Sequence, residues 1–329
     1  MSGRIGELFM IGVSSSATPA KAAALVRTSR AGSVLLQGAS SAGVEKTAAI
    51  TAAIRAAVPG TIVATDQEGG KVQRLQGPGF DPIPSAMAQS QLSVETLTAS
   101  AATWGSQLAA AGVLFDLAPV ADVVPEANVT TNAPIGALER GYGSDPDAVS
   151  SSVAAFIAGM HAGGIEISLK HFPGLGEVTG NTDKTPATDT VTTRVASSAT
   201  FRAGIAAGAG SVMVSSAIYA QIDPGVQGVF SAVIISDMLR GELGFTGVVI
   251  SDDLGLAKAV APVAPGDRAL RFLVAGGDLV INANPSIQAA MTNAVAQSAR
   301  SKPEFAARVT QSAARVLRLK ASVGAANCL

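Results

Sequence analysis

Three stretches of the chain combine residue types that can hold and cleave a polar substrate. In SLKHFPGLGEVTGNTDKTP, residues 168–186, an apolar segment ends in Lys170-His171 and opens into a polar loop carrying Glu177 and Asp183. Lys170 and His171 would offer donors to a ligand. A backbone-satisfied core histidine is the plainer alternative, and the adjoining lysine argues against deep burial of the pair. Asp183 lies in a Gly/Thr/Asn-rich loop, where a carboxylate is more often solvated than catalytic. In GVVISDDLGL, residues 247–256, Asp252 and Asp253 follow an apolar run directly. Adjacent side chains leaving a strand point to opposite sides, so at most one should face a site while the other caps the following turn. That one is a candidate nucleophile or metal ligand; no acidic cluster with metal-ligand spacing accompanies it, which favours the nucleophile. In ATDQEGGKVQRLQG, residues 64–77, Asp66 and Glu68 precede a Gly-Gly turn and Arg74. A carboxylate that accepts and a guanidinium that donates through a fixed fork make a clamp for sugar hydroxyls, or simply a turn with a surface ion pair. The glycines do not fit a phosphate-binding fingerprint.

These residues share a placement. Apolar, β-branched runs at 8–13, 33–37, 61–65, 114–118, 166–170, 211–215, 247–251 and 278–282 read as strands. Helical spacing occupies 19–28, 42–57, 93–111, 146–162, 195–207, 232–243 and 266–275, and a final helix spans 303–323 with Gly324 just past its end. Strands alternating with helices imply parallel βαβ units. Runs that are apolar throughout imply a sheet covered on both faces. Eight such units predict a single-domain (β/α)8 TIM-type barrel over residues 1–329, with an open doubly wound sheet as the alternative. Asp66, Asp122, Lys170-His171, Ser215-Ser216, Asp252-Asp253 and Asn282-Asn284 all follow the C-terminal ends of expected strands. In a barrel those ends meet at one mouth, and helix capping alone does not account for so many polar groups there.

Composition bounds the rest. Of 329 residues 48% are hydrophobic and 14% charged, with a net charge of -1, so a large core is affordable and no basic stripe marks a nucleic-acid partner. One cysteine, Cys328, excludes an intrachain disulfide and a Cys-rich zinc site, and two histidines exclude a multi-histidine metal centre. Neither a metal nor an organic cofactor is expected. No apolar run approaches the ~18 residues of a membrane span. The opening MSGRIGELFMIGV has no basic region followed by an apolar one, which leaves a cytoplasmic location, or an envelope or secreted one reached through a preceding targeting segment.

Taken together, GELFMIG, TDQEGGKVQRL, LAPVADV, PIGALERGYGSDP, KHFPGLGEVTGNTD and GELGFTGVVISDDLGL resemble glycoside hydrolase family 3, specifically its NagZ-type β-N-acetylglucosaminidases, in the right order over nearly the whole chain. The resemblance implies a (β/α)8 barrel and metal-free retaining hydrolysis of terminal β-linked GlcNAc from cell-wall (peptidoglycan) fragments by a monomer. Asp252 matches the family's nucleophile. Asp66, Arg74 and Arg140 match sugar ligands, and Lys170-His171 the pair that holds the sugar and its acetamido group. One position departs. Where such loops read Asp-Ser-His and the histidine is the acid/base, this chain reads Asn181-Thr182-Asp183, a variant resembling actinobacterial members. Asp183 then takes the acid/base role, with Glu177 in reserve. A carboxylic acid can protonate a leaving oxygen when burial or a neighbouring charge strengthens its hold on the proton, and retaining glycosidases ordinarily pair two carboxyls ~5–5.5 Å apart. The rival expectations are a phosphorylase, which an anionic Asp183 disfavours, and a catalytically impaired saccharide-binding protein.

Overall fold

The computed structural model describes residues 2–195 and 198–326. Cys328, and residues 196–197 of the helix expected at 195–207, lie outside them. Eight parallel strands form one sheet: β1 Phe9–Ser14, β2 Ser33–Gln37, β3 Ile62–Thr65, β4 Phe115–Asp116, β5 Glu166–Phe172, β6 Ser211–Val214, β7 Val248–Ser251 and β8 Val280–Asn282. They neighbour one another in chain order, and β1 also pairs with β8 through Phe9↔Val280. The remaining edges meet at a parallel bridge between Ile250 and Leu279, where the Ser251 amide donates to the Leu279 carbonyl at 3.0 Å. The sheet therefore curls round on itself into a nearly closed barrel.

Alternation along each strand decides what fills it. Met10, Leu35, Ala64, Phe115, Met213, Ile250 and Ile281 make one apolar cluster inside the barrel. Their strand neighbours Phe9, Ile11, Val34, Val63, Val212, Val249 and Val280 belong to a second cluster shared with the surrounding helices. Those helices are α1 Pro19–Ser29, α2 Gly43–Ala57, α3 Val94–Ala110, α4 Pro146–Ala162, α5 Ala199–Ala206, the π-wound α6 Val233–Glu242, α7 Pro265–Ala275, α8 Gln288–Ser301 and α9 Pro303–Ser322. Local chemistry starts several of them. Thr18 and Ser93 cap α1 and α3 by accepting the amides of Lys21 and Thr96, and Pro19 and Pro146 occupy first-turn positions where no amide is missed.

One of these nine helices escapes the sequence reading. α8 buries Met291, Val295 and Ala299 among polar residues, a stripe too thin to declare itself. With α8 following β8, the last helix α9 is an addition beyond the eight units. Its Val316 and Leu319 join the inner cluster and so close the N-terminal end of the barrel. Lys320 donates there to Glu7 and, at 2.6 Å, to the Gly32 carbonyl. At the same end Asp278 gathers Arg240, Arg315 and Ser312. The ion pairs opposite the mouth hold the fold together, which leaves the mouth for chemistry.

Candidate active site

The C-terminal ends of the strands border a cavity of about 670 Å³. After β3 the chain turns into a short antiparallel pair, Gln67–Gly69 with Val72–Gln73. Gly69 adopts φ 103°, and a Cβ there would stand 2.2 Å from the Pro84 carbonyl oxygen, so the turn requires glycine. Gln67 clamps the loop by donating to the Leu75 carbonyl at 2.7 Å and accepting the Leu75 amide at 3.0 Å. Asp66 and Arg74 thereby border the mouth, with Glu68 buried behind them.

Lys170, at the end of β5, donates from Nζ to Asp66 Oδ1 at 2.7 Å and lies 2.5 Å from Glu68 Oε1. Arg140 grips both oxygens of Glu68 at 2.8 Å each and spends a further N–H on the Pro134 carbonyl at 2.7 Å. Burial resists ionisation of Glu68, but Arg140 and Lys170 outweigh it and hold its carboxyl well below the ordinary range. Burial likewise resists the Lys170 charge and the Asp66 and Glu68 carboxylates overcome it, leaving that ammonium above its usual value. The expectation that a lysine keeps this strand end out of the interior is corrected. Lys170 is 2% and His171 5% exposed, because carboxylates distant in sequence neutralise the ammonium and an aspartate holds the ring.

That aspartate is Asp122, after β4. One of its oxygens accepts His171 Nδ1 at 2.8 Å. The other accepts the backbone amides of His171 and Leu175, both at 3.0 Å. The ring is thus oriented through Nδ1, leaving Nε2 without a protein partner among the described residues. Arg74 also borders the cavity and makes no side-chain hydrogen bond or ion pair with the described residues. Asp116, in β4, is fully buried, accepts the Gln67 amide at 2.9 Å through Oδ1 and leaves Oδ2 unpartnered. Burial pushes its carboxyl up to about 8, so at neutral pH it is a neutral acid beneath the charged cluster. Nothing in LFDLAP marks it in the sequence.

At the end of β7 both acidic residues border the cavity, and hydrogen bonding tells them apart. Asp253 accepts the amides of Gly255, Leu256 and Ala283 at 2.7, 2.8 and 2.9 Å, which makes it the capping member of the pair. Among the described residues Asp252 accepts only the amide of Asp253, at 2.8 Å. Burial, and then the negative charge of Asp183, push the Asp252 carboxyl up to about 6, while His171 pulls the other way. Asp183 borders the same cavity from the loop after β5 and is exposed. The two carboxylates, Asp183 and Asp252, lie within electrostatic reach of one another. Glu177 lines a separate cavity of about 200 Å³ and accepts from Asn128 at 2.9 Å. Among the described residues no three of His, Cys, Asp and Glu converge so as to hold a metal ion.

Residues 1–319 match the N-terminal domain of glycosyl hydrolase family 3. The chain belongs to this family. A β-hexosaminidase from Stenotrophomonas maltophilia is 37% identical over 249 residues, covering 72% of each chain. The crystal structure of a β-N-acetylhexosaminidase from Beutenbergia cavernae superposes with a TM-score of 0.95 at 47% identity, covering 97% of this chain and 98% of that one. A family 3 β-N-acetylglucosaminidase from Paenibacillus superposes with a TM-score of 0.87 at 25% identity, covering all of this chain and 64% of that one. As a family 3 glycoside hydrolase the chain has the barrel that its strand pattern implies. The family's motifs converge on one mouth: Asp66, Arg74, Arg140, Lys170, His171, Asp183 and Asp252 all border the same cavity. Three residues were passed over or given no part in the sequence reading: Glu68, Asp116 and Asp122. Glu68 and Asp122 each had a signal, their place just past a strand end, and Asp116 had none.

Proposed function

We propose that this family 3 enzyme is a retaining exo-β-N-acetylglucosaminidase that releases terminal β-linked GlcNAc from cell-wall (peptidoglycan) fragments. The observation that carries the reading is the split at the end of β7. Asp253 is consumed by three backbone amides, and Asp252 is left in a cavity that also holds Asp183 and a sugar clamp. The β-N-acetylhexosaminidase similar over 97% of the chain supports the sugar, and the motif resemblance supports the cell-wall substrate. Asp252 attacks the anomeric carbon and forms a glycosyl ester as Asp183 protonates the departing oxygen. Asp183 then takes a proton from the water that cleaves the ester, giving two inversions and net retention. Asp66, Arg74, Lys170 and His171 position the sugar, and Arg140 acts chiefly by holding Glu68 against Lys170. The test is NMR of GlcNAc-MurNAc hydrolysis: β-GlcNAc should appear first, and α-GlcNAc first, or no release, defeats the proposal.

The acid/base role carries its own prediction. Asp183→Asn should lower kcat/KM on a saccharide substrate by roughly 10²–10⁴-fold. A nitrophenyl leaving group needs little protonation, so the loss of kcat/KM there should be much smaller. A loss independent of leaving-group acidity removes Asp183 from the role.

A further inference from the structure

Asp183 is exposed, yet its backbone is held at both ends. Its amide donates to Asn181 Oδ1 at 3.0 Å, and its carbonyl accepts the Lys258 amide at 3.2 Å. The preceding carbonyl, of the buried Thr182, accepts the Ala259 amide at 3.1 Å, so the segment is docked on the chain that continues from Asp252-Asp253. Asn181 closes the turn further, since its own carbonyl accepts the amides of Lys184 and Thr185, both at 2.9 Å. The Asp183 carboxylate makes no protein hydrogen bond among the described residues, so its direction is inherited from this backbone. Asn181 itself borders the active cavity.

From this geometry we infer that Asn181 is a positioning residue: its side-chain oxygen fixes the peptide that aims the Asp183 carboxylate at the glycosidic oxygen, and does so without adding charge. The inference rests on the acid/base role proposed above for Asp183. Neutrality matters because two carboxylates already act on Asp183 across the cavity. Asp252 and Asp253 face it from the loop after β7, with Lys258 on the docked segment, Lys184 on its own loop and His171 across the cavity. A carboxylate at 181 would accept the same amide and form the same turn. It would also place another negative charge two residues from the acid.

The experiment compares Asn181→Ala and Asn181→Asp with wild type on a GlcNAc saccharide, with Asp183→Ala and the Asn181→Ala/Asp183→Ala double variant in parallel. Asn181→Ala should lower kcat about tenfold with KM within about twofold, the signature of a misaligned catalytic group. Asn181→Asp should restore kcat to within about threefold, and its added charge should move the alkaline limb of kcat/KM upward by about half a pH unit. In the Asp183→Ala background Asn181→Ala should cost nothing further, because there is no carboxylate left to aim. Full activity in Asn181→Ala, a failure of Asn181→Asp to restore it, or additive losses in the double variant would each overturn the inference. If Asp183→Ala itself retains wild-type turnover, the acid/base reading fails first, and that result is separable from the other three.

Discussion

Asp252→Asn should retain folding and saccharide binding while losing kcat by about four orders of magnitude or more, the scale set by removing a covalent nucleophile. Wild-type activity should fall as the pH drops through about 6, where burial and Asp183 place the Asp252 titration, because only the carboxylate can attack. The same environment gives a stability effect of opposite sign. A carboxyl raised from 3.8 to about 6 binds its proton more tightly folded than unfolded. The native state therefore loses stability as the pH rises from about 4 to 6, and holding Asp252 ionised at pH 7 costs up to about 2–3 kcal/mol. Asp252→Asn removes that cost. It should unfold at higher denaturant than wild type at pH 7, with the gap narrowing toward pH 4. Denaturant melts at both pH values and the kcat/KM profile check the two halves independently. A variant that is inactive but no more stable would place Asp252 in a milder environment than its burial indicates.

The barrel is legible in the sequence because its strands are buried on both faces and read as short, mainly apolar runs. That same pattern exposes the site, since Asp66, Lys170-His171 and Asp252-Asp253 are where apolar runs break off. Pairing is less legible. That Lys170 is buried depends on Asp66, 104 residues away, and Glu68, and propensity for a lysine carries no such information. The choice between Asp252 and Asp253 depends on which one the amides of Gly255, Leu256 and Ala283 reach, the last of them on the neighbouring strand end. Asp116 is hidden because it lies inside the apolar run 114–118, which reads as one uninterrupted strand. Glu177 and Asp183 look equivalent in the loop, and only the folded path sends them to different cavities. Helix α8 was missed for a related reason: three small buried contacts suffice once neighbours supply the rest of the surface.

Two cations at the mouth should respond to removal in opposite ways, and the contrast tests the charge organisation of the whole site. Lys170→Met takes away the buried ammonium that links the half-buried Asp66 to the buried Glu68. Glu68 keeps Arg140, but Asp66 loses its partner, and the group formed by the buried Glu68 with the half-buried Asp66 and Arg140 is left one positive charge short beside Asp116. Breaking a buried pair from one side typically costs about 3–5 kcal/mol, so this variant should unfold well before wild type. It should also bind GlcNAc poorly, because Asp66 no longer has a fixed orientation. Arg74→Met removes a guanidinium that no described protein group accepts from, and stability should stay within about 0.5 kcal/mol of wild type. If Arg74 donates to the sugar, a charge-assisted hydrogen bond worth about 1.5–3 kcal/mol is lost, and kcat/KM should fall by roughly 10- to 100-fold. Denaturant melts and saccharide titrations on both variants separate the cases. Equal destabilisation would mean that Arg74 is tied into the fold, whereas an unchanged Lys170→Met melt would mean that the cluster is solvated and that its charges do not depend on one another.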